Sequence, residues 1–332
     1  MPAPGRRSAD VTTHKMTLYV SSYNDVVDET FRRSFPDVSF CKVAGLTELR
    51  RELLTTTVLA TSRQRLTPEL GRMIRELGPR LQWIQLTSVG TDLADEIGLR
   101  NDIRLTNAAG VRANVVAGHA ISLMLGLMRG FRHYDQFRAR REWAREDMID
   151  VLRWPDGETL VICGLGAVGR EAARLAKALG MHVLGVSRTG APGGPVDEVL
   201  PRSRLHDALP RADVLLLATS LTADTVGFIG ARELSLLKKS SIVINVARGR
   251  LLDEGALIAA IEEGRISGAG LDVVADEPLR PSSSLWTMDN VLISPHVAGR
   301  GGSRQKQALS DLFSENLRRF LAGRPLLNEI VP

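Results

Sequence analysis

Three polar side chains of the kinds that bind anions and move protons each follow an apolar stretch of this sequence. Arg248 follows INVA, Glu277 follows GLDVVAD and His296 follows ISP. If these stretches are parallel strands, the three side chains lie at the carboxyl edge of one sheet, where open α/β sheets bind their ligands. Any one of them alone would more often be a surface salt bridge or a structural histidine. Three together favour an active site.

A glycine-rich turn lies upstream of these residues, in VICGLGAVGR at 161–170. Its glycines stand at GxGxxG spacing between an apolar run and a helical pattern. In such a turn the first glycine permits a tight bend, the second lets backbone approach a pyrophosphate, and the third lets the helix pack on the strand. The helix N-terminus adds free N–H groups for the phosphates. The residues predicted to bind a dinucleotide here are Gly164, Leu165, Gly166, Ala167, Val168 and Gly169.

The next apolar run ends in Ser187, Arg188 and Thr189. This lies about 20 residues beyond the glycines, where a dinucleotide-binding fold places an acidic residue on the ribose 2′-hydroxyl. No acidic residue stands there. The two hydroxyls can donate hydrogen bonds to a 2′-phosphate, and Arg188 can add a charge-assisted bond. The motif therefore favours NADP(H), with NAD(H) possible; the alternative for Arg188 is a plain surface loop residue.

The composition is that of an ordinary globular protein. Of 332 residues, 44% are hydrophobic and 24% charged, and this length favours about two domains. The net charge of +5 comes from 43 basic and 38 acidic residues, mixed along the chain, so no nucleic acid partner is expected. No apolar run reaches the length of a membrane span and none heads a secretory signal, so we expect no membrane partner and a cytoplasmic location.

The two cysteines, Cys41 and Cys163, show no spacing typical of a metal site, so no metal is expected. Cys163 lies inside the apolar run that leads into the glycine turn. A buried, reduced thiol is therefore the expected state of Cys163.

Apolar strand patterns and helical patterns alternate twice along the chain, which predicts two doubly wound parallel sheets of Rossmann-like or flavodoxin-like type. Residues 1–15 are expected to be a disordered tail. The first alternation, 16–110, is sharpest at LQWIQLTS. A long helical stretch, roughly 111–145, opens the second, which extends to 299 and contains the glycine turn. A last helical pattern within 300–332 could return the chain to the first domain.

Five motifs in order resemble the D-2-hydroxyacid dehydrogenase family: GLGAVGR, VARGRLLDEGAL, GLDVVADEPL, SPHVAG and ENLRRFLAGRPLLN. The resemblance covers the chain from about Leu81 to the C-terminus. It implies a substrate domain made of 16–110 with 300–332, an inserted dinucleotide-binding domain at 111–299, and an active-site cleft between them. It also implies a homodimer formed through the dinucleotide-binding domains.

The resemblance implies roles for the three strand-end residues. Arg248 would orient the substrate by holding its carboxylate and polarising its keto oxygen. His296 would give a proton to that oxygen during reduction. Glu277 would be the partner whose negative charge favours the imidazolium form.

The family also implies further binding residues. Ser88, Val89 and Gly90, in TSVGTD, resemble the loop whose backbone N–H groups bind the substrate carboxylate. Asp272 resembles the residue that holds the nicotinamide carboxamide. The remaining implied cofactor contacts are Val116, Ser220, Thr225 and Ala247. Ser220 stands where the family commonly has proline, and Gly118 stands where it often has glutamate, so any role of that glutamate is absent here.

These expectations describe an NADP(H)-dependent reductase of small 2-keto acids, such as glyoxylate or hydroxypyruvate. Two alternatives stay open at this point. One is a dehydrogenase of another small anion such as phosphite, because phosphite-oxidising members of the family keep the three strand-end residues. The other is a cofactor-sensing binding protein of the corepressor kind, which keeps them too. His119 could approach the site, but a satisfied core histidine is the preferred interpretation.

Overall fold

The computed structural model describes residues 14–20, 27–90, 97–191, 193–301 and 304–330. The chain divides into two compact units, Met1–Val111 with Gly302–Pro332 and Arg112–Gly301. Each unit has one sheet with a hydrophobic cluster on either face, which confirms the predicted α/β class. Among the described residues, no helix combines the length and apolar character needed to cross a membrane, and no three His, Cys, Asp or Glu side chains group as a metal site.

The strands are β1 His14–Tyr19, β2 Val38–Lys42, β3 Val58–Thr61, β4 Trp83–Leu86, β5 Arg104–Thr106, β6 Thr159–Cys163, β7 His182–Ser187, β8 Glu198–Pro201, β9 Val214–Leu217, β10 Ile242–Asn245, β11 Gly268–Leu271, β12 Val291–Ile293 and β13 Glu329–Ile330. The α-helices are α1 Glu29–Arg33, α2 Leu46–Glu52, α3 Pro68–Leu77, α4 Ala113–Met128, α5 Phe131–Arg140, α6 Ala167–Ala178, α7 Leu205–Ala208, α8 Ala231–Ser235, α9 Glu254–Glu262 and α10 Arg304–Leu321.

The first unit has the strand order β13-β5-β4-β3-β1-β2. Neighbouring strands run parallel except β13, which pairs antiparallel with β5. Alternate residues face opposite sides of this sheet. Leu18 packs in the cluster that contains Phe313 of α10, and Leu59 packs in the cluster that contains Leu49 of α2 and Leu70 of α3. Helix α10 therefore returns to the first sheet.

A buried polar network joins α10 to that sheet. Asn316, with no exposed surface, donates to the side-chain oxygen of Gln85 at 2.9 Å and to the carbonyl of Leu327 at 3.1 Å. Its own side-chain oxygen accepts from the Leu327 N–H at 2.7 Å. Thr106 completes the network by donating to Gln85 at 2.9 Å. Because each buried polar group has a partner, the network stabilises one register of helix, sheet and C-terminal segment.

The second unit has the strand order β12-β11-β10-β9-β6-β7-β8, and every neighbouring pair is parallel. The chain moves outward in one direction from β6 to β8 and in the other from β9 to β12. The carboxyl ends of β6 and β9 therefore lie at the switch point of a doubly wound sheet, where such folds bind their ligands. Val161 and Ile162 of β6 face opposite hydrophobic clusters.

The stretch predicted as one helical run, 111–145, consists of α4 and α5. Gly130 separates them at φ 62°, and a Cβ there would lie 2.8 Å from a carbon of Met148. Glycine adopts this left-handed conformation without the steric cost of other residues, so the chain changes direction there. The first part, α4, is buried on one side, because Ala117, Ile121 and Met124 pack in the second unit's core.

Other boundaries also differ from the expectations. Strand β1 begins at His14, so the last two residues of the expected tail are in the sheet, paired with Val38 and Ser39; residues 1–13 lie outside the described residues. Strands β8 and β13 were not predicted. Both are edge strands with charged residues, so they lack the apolar runs that marked the others.

Replacing Asn316 with leucine is expected to destabilise the protein by about 2–4 kcal/mol. The change removes the side-chain partner of the Leu327 N–H and of the Leu327 carbonyl, and it leaves the Gln85 oxygen with Thr106 as its donor. Each unsatisfied buried group costs about 1–3 kcal/mol. Urea unfolding followed by circular dichroism measures the loss. Gln307→Leu is the matched control, because Gln307 lies on the same helix and its side chain donates to exposed Asp311 at 2.8 Å. Equal stability of the two variants would contradict the role of the buried network.

Candidate active site

The glycine turn follows β6 and begins α6. Gly164 has φ 106°, and a Cβ on it would lie 2.7 Å from the Ala218 carbonyl oxygen. A Cβ on Gly169 would lie 1.9 Å from the Gly164 oxygen. Both positions therefore exclude any side chain. Gly166 differs, since no atom lies within 4 Å of its Cβ position.

Gly166 is also the N-cap of α6, and no side chain caps that helix end. The first N–H groups of a helix have no partner within it, and the positive end of the helix dipole favours an anion there. The open space at Gly166 and the uncapped helix end are together what a pyrophosphate requires.

A cavity of about 690 Å³ opens at this turn, within the size range of ligand sites. The predicted cofactor residues that line it are Gly164, Leu165, Gly166, Ser187, Arg188, Thr189, Ser220 and Thr225. Ala167, Val168 and Gly169 form the adjoining first turn of α6. Val116, Ala247 and Asp272 are not among the described residues that line this cavity.

The end of β7 presents two hydroxyls to the cavity. The Ser187 oxygen accepts the Gly190 N–H at 3.0 Å, and the Thr189 oxygen accepts the Ala191 N–H at 3.3 Å. Accepting these bonds leaves each hydroxyl its proton to donate. Arg188 between them is exposed. The structure thus keeps a cation and two hydroxyl donors at the mouth of the cavity.

Several lining residues were missed from the sequence. Arg170 directly follows the glycine motif and donates to the Leu165 carbonyl at 2.7 Å. Arg202 follows β8, the strand that the pattern did not reveal, and lies 3.5 Å from the Asp224 carboxylate. The cavity wall therefore contains an acidic residue, Asp224, although none stands at the end of β7.

Thr225 shapes the loop after β9. Its hydroxyl donates to the Ser220 carbonyl at 2.9 Å and accepts the Thr222 N–H at 2.7 Å. The side chain is buried. These bonds hold the loop closed around Thr225, so Thr225 lines the cavity as part of a fixed turn.

Arg248, Glu277 and His296 follow the neighbouring strands β10, β11 and β12. Asn245, Leu271 and Ile293 pair in one row at the ends of these strands. The three segments therefore leave the sheet from the same edge.

Close backbone packing positions Arg248. The next residue, Gly249, packs so closely that a Cβ would lie 1.8 Å from the Val274 carbonyl oxygen. The Asn245 side chain donates to the Arg248 carbonyl at 3.0 Å and accepts the Ala247 N–H at 3.1 Å. The Arg248 guanidinium donates to the Ala247 carbonyl at 2.7 Å. Ala247 thus contributes to holding the arginine.

His296 and Glu277 form a close pair, with 2.7 Å between Nδ1 of the imidazole and Oε2 of the carboxylate. Both side chains are about half exposed. A carboxylate accepts only, so Nδ1 carries a proton and Nε2 is the nitrogen left to exchange one with a ligand. Beside the pair lies a mostly apolar cavity of about 550 Å³, lined in part by Val274, Leu279 and Trp286.

Asp272 is 2% exposed and is engaged by the loop that carries His296. Its carboxylate accepts the N–H groups of Val297 and Ala298, each at 2.9 Å. It also accepts the Ser294 hydroxyl at 2.6 Å. The Ser294 oxygen lies 2.8 Å from Nε2 of His119. His119 therefore has a hydrogen-bond partner and is half-buried, which agrees with the preferred interpretation of a structural histidine. Its partner, however, belongs to the active-site loop.

The predicted carboxylate-binding residues belong to the first unit, just beyond β4. The Ser88 hydroxyl accepts the Arg63 N–H at 3.3 Å, and the Val89 carbonyl accepts from the Asn107 side chain at 2.9 Å. These bonds tie the loop to the ends of β3 and β5. Gly90 ends the described part of the loop, and Thr91 and Asp92 of the motif lie outside the described residues.

Cys163 is buried at the end of β6, as predicted. Burial raises the pKa of its thiol to about 12, because a thiolate there would lose its hydration. Cys163 therefore stays protonated at neutral pH and serves packing.

Alanine is expected to act differently at the closed position of Gly169 and at the open position of Gly166. Gly169→Ala should cost roughly 1–3 kcal/mol of stability through overpacking and also weaken dinucleotide binding. Gly166→Ala should leave the melting temperature unchanged, because its methyl group meets empty space, and should weaken dinucleotide binding by at least about ten-fold, or about 1.4 kcal/mol. Differential scanning fluorimetry and titration with NADPH measure both effects. Native NADPH affinity in Gly166→Ala would show that the pyrophosphate lies elsewhere.

Comparisons with known proteins agree with this geometry. Residues 121–298 match the model of the D-isomer specific 2-hydroxyacid dehydrogenase, NAD binding domain. A glycerate dehydrogenase of Methylorubrum extorquens is 36% identical over 257 residues, 74% of this chain and 78% of the relative. A glyoxylate reductase of Pyrococcus furiosus is 34% identical over 264 residues, 78% of each chain.

A similar solved structure is the NADPH-dependent glyoxylate/hydroxypyruvate reductase from Sinorhizobium meliloti, in complex with NADP and sulfate. Its TM-score is 0.80 at 25% identity, over 96% of this chain and 98% of that one. The family model covers more than half of the sequence, including the glycine turn and all three strand-end residues. The chain therefore belongs to the D-isomer-specific 2-hydroxyacid dehydrogenase family, whose members are NAD(P)-dependent oxidoreductases.

Proposed function

We propose that this protein is an NADP(H)-dependent reductase that converts a small 2-keto acid reversibly to a D-2-hydroxy acid. The observation that carries the proposal is the 2.7 Å His296–Glu277 pair, which leaves the carboxyl edge of the sheet together with Arg248. A histidine with a fixed carboxylate partner is a general acid–base group, and an arginine beside it suits an anionic substrate. The names of the similar proteins, glycerate dehydrogenase and glyoxylate reductase, support this substrate class.

His296 is the proposed proton donor. Glu277 holds Nδ1, so the ring is oriented and Nε2 faces away from the carboxylate. During reduction Nε2–H gives its proton to the keto oxygen. In the reverse direction neutral His296 takes the hydroxyl proton.

Arg248 is the proposed substrate-orienting residue. A guanidinium has five N–H donors in a planar fork, and the Ala247 carbonyl fixes the orientation of that fork. Its geometry suits a carboxylate and the adjacent keto oxygen, on which negative charge develops during reduction. For Ser88, Val89 and Gly90 the role in holding the substrate carboxylate stays a prediction, as does a substrate-binding role for the first unit.

The second unit fits a nicotinamide dinucleotide, which supplies or accepts the hydride when bound. Gly166 leaves a space beside an uncapped helix end, and the 690 Å³ cavity continues from the glycine turn to the end of β7. The contacts of Val116, Asp272 and Ala247 with the cofactor stay predictions.

The preference for NADP(H) is supported by the donors at the end of β7. Ser187 and Thr189 retain hydroxyl protons, and the exposed cation of Arg188 lies between them. Arg202 adds a second guanidinium to the same cavity. A 2′-phosphate provides acceptor oxygens and negative charge for all of these groups. Asp224 partly offsets their charge, since it lies 3.5 Å from Arg202.

We further propose that the protein forms a homodimer through the second unit. Large apolar side chains in one stretch of that unit are exposed: Phe131, Trp143, Ile149 and Trp154, with Trp143 at 95%. Several exposed large apolar side chains in one stretch support an interaction surface there. A cytoplasmic location stays a prediction.

His296→Ala is expected to lower kcat for keto acid reduction by about 10²–10⁴-fold, the usual range for a lost general acid. NADPH affinity should stay native, because His296 is not part of the dinucleotide cavity. NADPH oxidation in the presence of glyoxylate or hydroxypyruvate measures turnover. His206→Ala is the control, since His206 is paired with Glu233 and neither is among the described residues that line the cavity beside the His296–Glu277 pair. A fully active His296→Ala variant would refute the mechanism, and turnover of phosphite instead of every keto acid would refute the substrate class.

Arg188→Ala is expected to raise KM for NADPH about 10- to 100-fold and leave KM for NADH nearly unchanged. A charge-assisted hydrogen bond contributes about 1.5–3 kcal/mol, and only NADPH has the 2′-phosphate. Ser187→Asp should shift the preference further toward NADH through repulsion. Steady-state kinetics with both cofactors measure the ratio. Arg174→Ala, an exposed arginine of α6 paired with Glu171, is the control. An unchanged NADPH preference in Ser187→Asp would contradict this assignment.

A further inference from the structure

We infer that His119 and Ser294 are positioning residues for the proton donor. They complete a hydrogen-bonded chain through Asp272 that holds the loop of His296 in its working conformation. The inference rests on the proposed role of His296 and adds two residues to it. His119 contributes from helix α4 and Ser294 from the loop after β12.

The donor and acceptor in each of these hydrogen bonds follow from the protons that each group has. Ser294 has one hydroxyl proton and donates it to Oδ1 of Asp272 at 2.6 Å. Its oxygen must then accept from Nε2–H of His119, 2.8 Å away. His119 is thereby fixed as a donor at Nε2, which both the cation and one neutral tautomer provide. Nε2 also lies 3.5 Å from Oδ1 of Asp272.

Asp272, which accepts the Ser294 hydroxyl, also binds the loop that carries His296. Its two carboxylate oxygens accept the Val297 and Ala298 N–H groups, and its carbonyl accepts the N–H of His296 at 2.8 Å. A nearly inaccessible carboxylate is costly unless every lone pair is engaged. The loop therefore keeps its N–H groups on Asp272 as long as the carboxylate stays in place.

His296 needs such support. It has φ 52°, a left-handed conformation that is strained for a non-glycine residue. Its side chain is about half exposed, so packing does little to hold it. Without the Asp272 bonds the backbone could return to an ordinary conformation and carry the imidazole away from Glu277.

Helix α4 is a rigid support for the hydrogen-bonded chain from His119 to Asp272. Ala117 and Ala120, on either side of Gly118 and His119, are buried against the second sheet. His119 thus connects the loop of His296 at the sheet edge to a helix that cannot shift without disturbing the core. The Gln side chain places its amide nitrogen where histidine has Nε2, so Gln is the conservative replacement at position 119.

The test compares His119→Ala, His119→Gln, Ser294→Ala and the double variant His119→Ala/Ser294→Ala, with His206→Gln as a matched control. His206 also has Nε2 at 2.8 Å from its partner, Glu233, in the same unit. Three quantities are measured for each: kcat with a keto acid, the dissociation constant of NADPH, and amide hydrogen exchange of Val297 and Ala298.

We expect His119→Ala and Ser294→Ala to lower kcat about 10- to 100-fold, the scale of an ångström-sized misplacement, and to speed exchange of both amides. NADPH affinity should stay native. His119→Gln should recover kcat and protection, His206→Gln should match the native protein, and the double variant should be no worse than Ser294→Ala, because the two residues act as one chain.

Three results would overturn the inference. The first is a kcat of His119→Gln no higher than that of His119→Ala, and the second is a loss of kcat in the double variant equal to the product of the two single losses. The third is native amide exchange of Val297 and Ala298 in Ser294→Ala. If His119→Ala does not fold, His119→Gln and Ser294→Ala decide between the same outcomes. If the native protein reduces no keto acid, the proposed function fails by itself, while the exchange measurement still decides whether His119 and Ser294 hold the loop.

Discussion

Every neighbouring strand pair of the second sheet runs parallel, and this constraint determines where chemistry can occur in the molecule. A parallel strand must be reached by a crossover, so the loops after the strands accumulate at one edge. The glycine turn leaves the sheet at this edge, and so does the segment with the hydroxyls of Ser187 and Thr189. The same edge is where the chain leaves the sheet toward Arg248, Glu277 and His296. Residues far apart in sequence thereby become candidates for one site.

Two kinds of close contact then give that edge its detail. At Gly169 and Gly249 backbone meets backbone at distances that exclude a Cβ, which brings a helix onto the glycine turn and the segment of Arg248 onto its neighbour. At Asp272 a buried carboxylate gathers N–H groups from the loop of His296. Both kinds of contact exclude other backbone arrangements. At the glycines the reason is steric exclusion, and at Asp272 it is the cost of an unpaired buried charge.

Most of the second sheet could be read from the sequence. Strands β6, β7 and β9 to β11 are mostly buried apolar runs, and the edge strand β12 is apolar and partly buried, so pattern alone located them. Strands β8 and β13 were missed because edge strands carry charges, and the break at Gly130 was missed because an isolated glycine in an apolar helical run is often tolerated. The α/β class follows from the alternation of strand and helix patterns, and the family follows from the five sequence motifs.

The sequence by itself determined the residue types: glycines where phosphate and backbone approach closely, hydroxyls and arginine in place of an acid after β7, and an Arg, a Glu and a His at strand ends. The family resemblance already implied Glu277 as the partner of His296, and the structure shows the 2.7 Å contact between them. Only the tertiary structure placed Arg202 and Asp224 in the dinucleotide cavity and joined His119 to Asp272 through Ser294. Such pairings depend on distances between distant segments, which strand order and crossover packing set and local pattern does not encode.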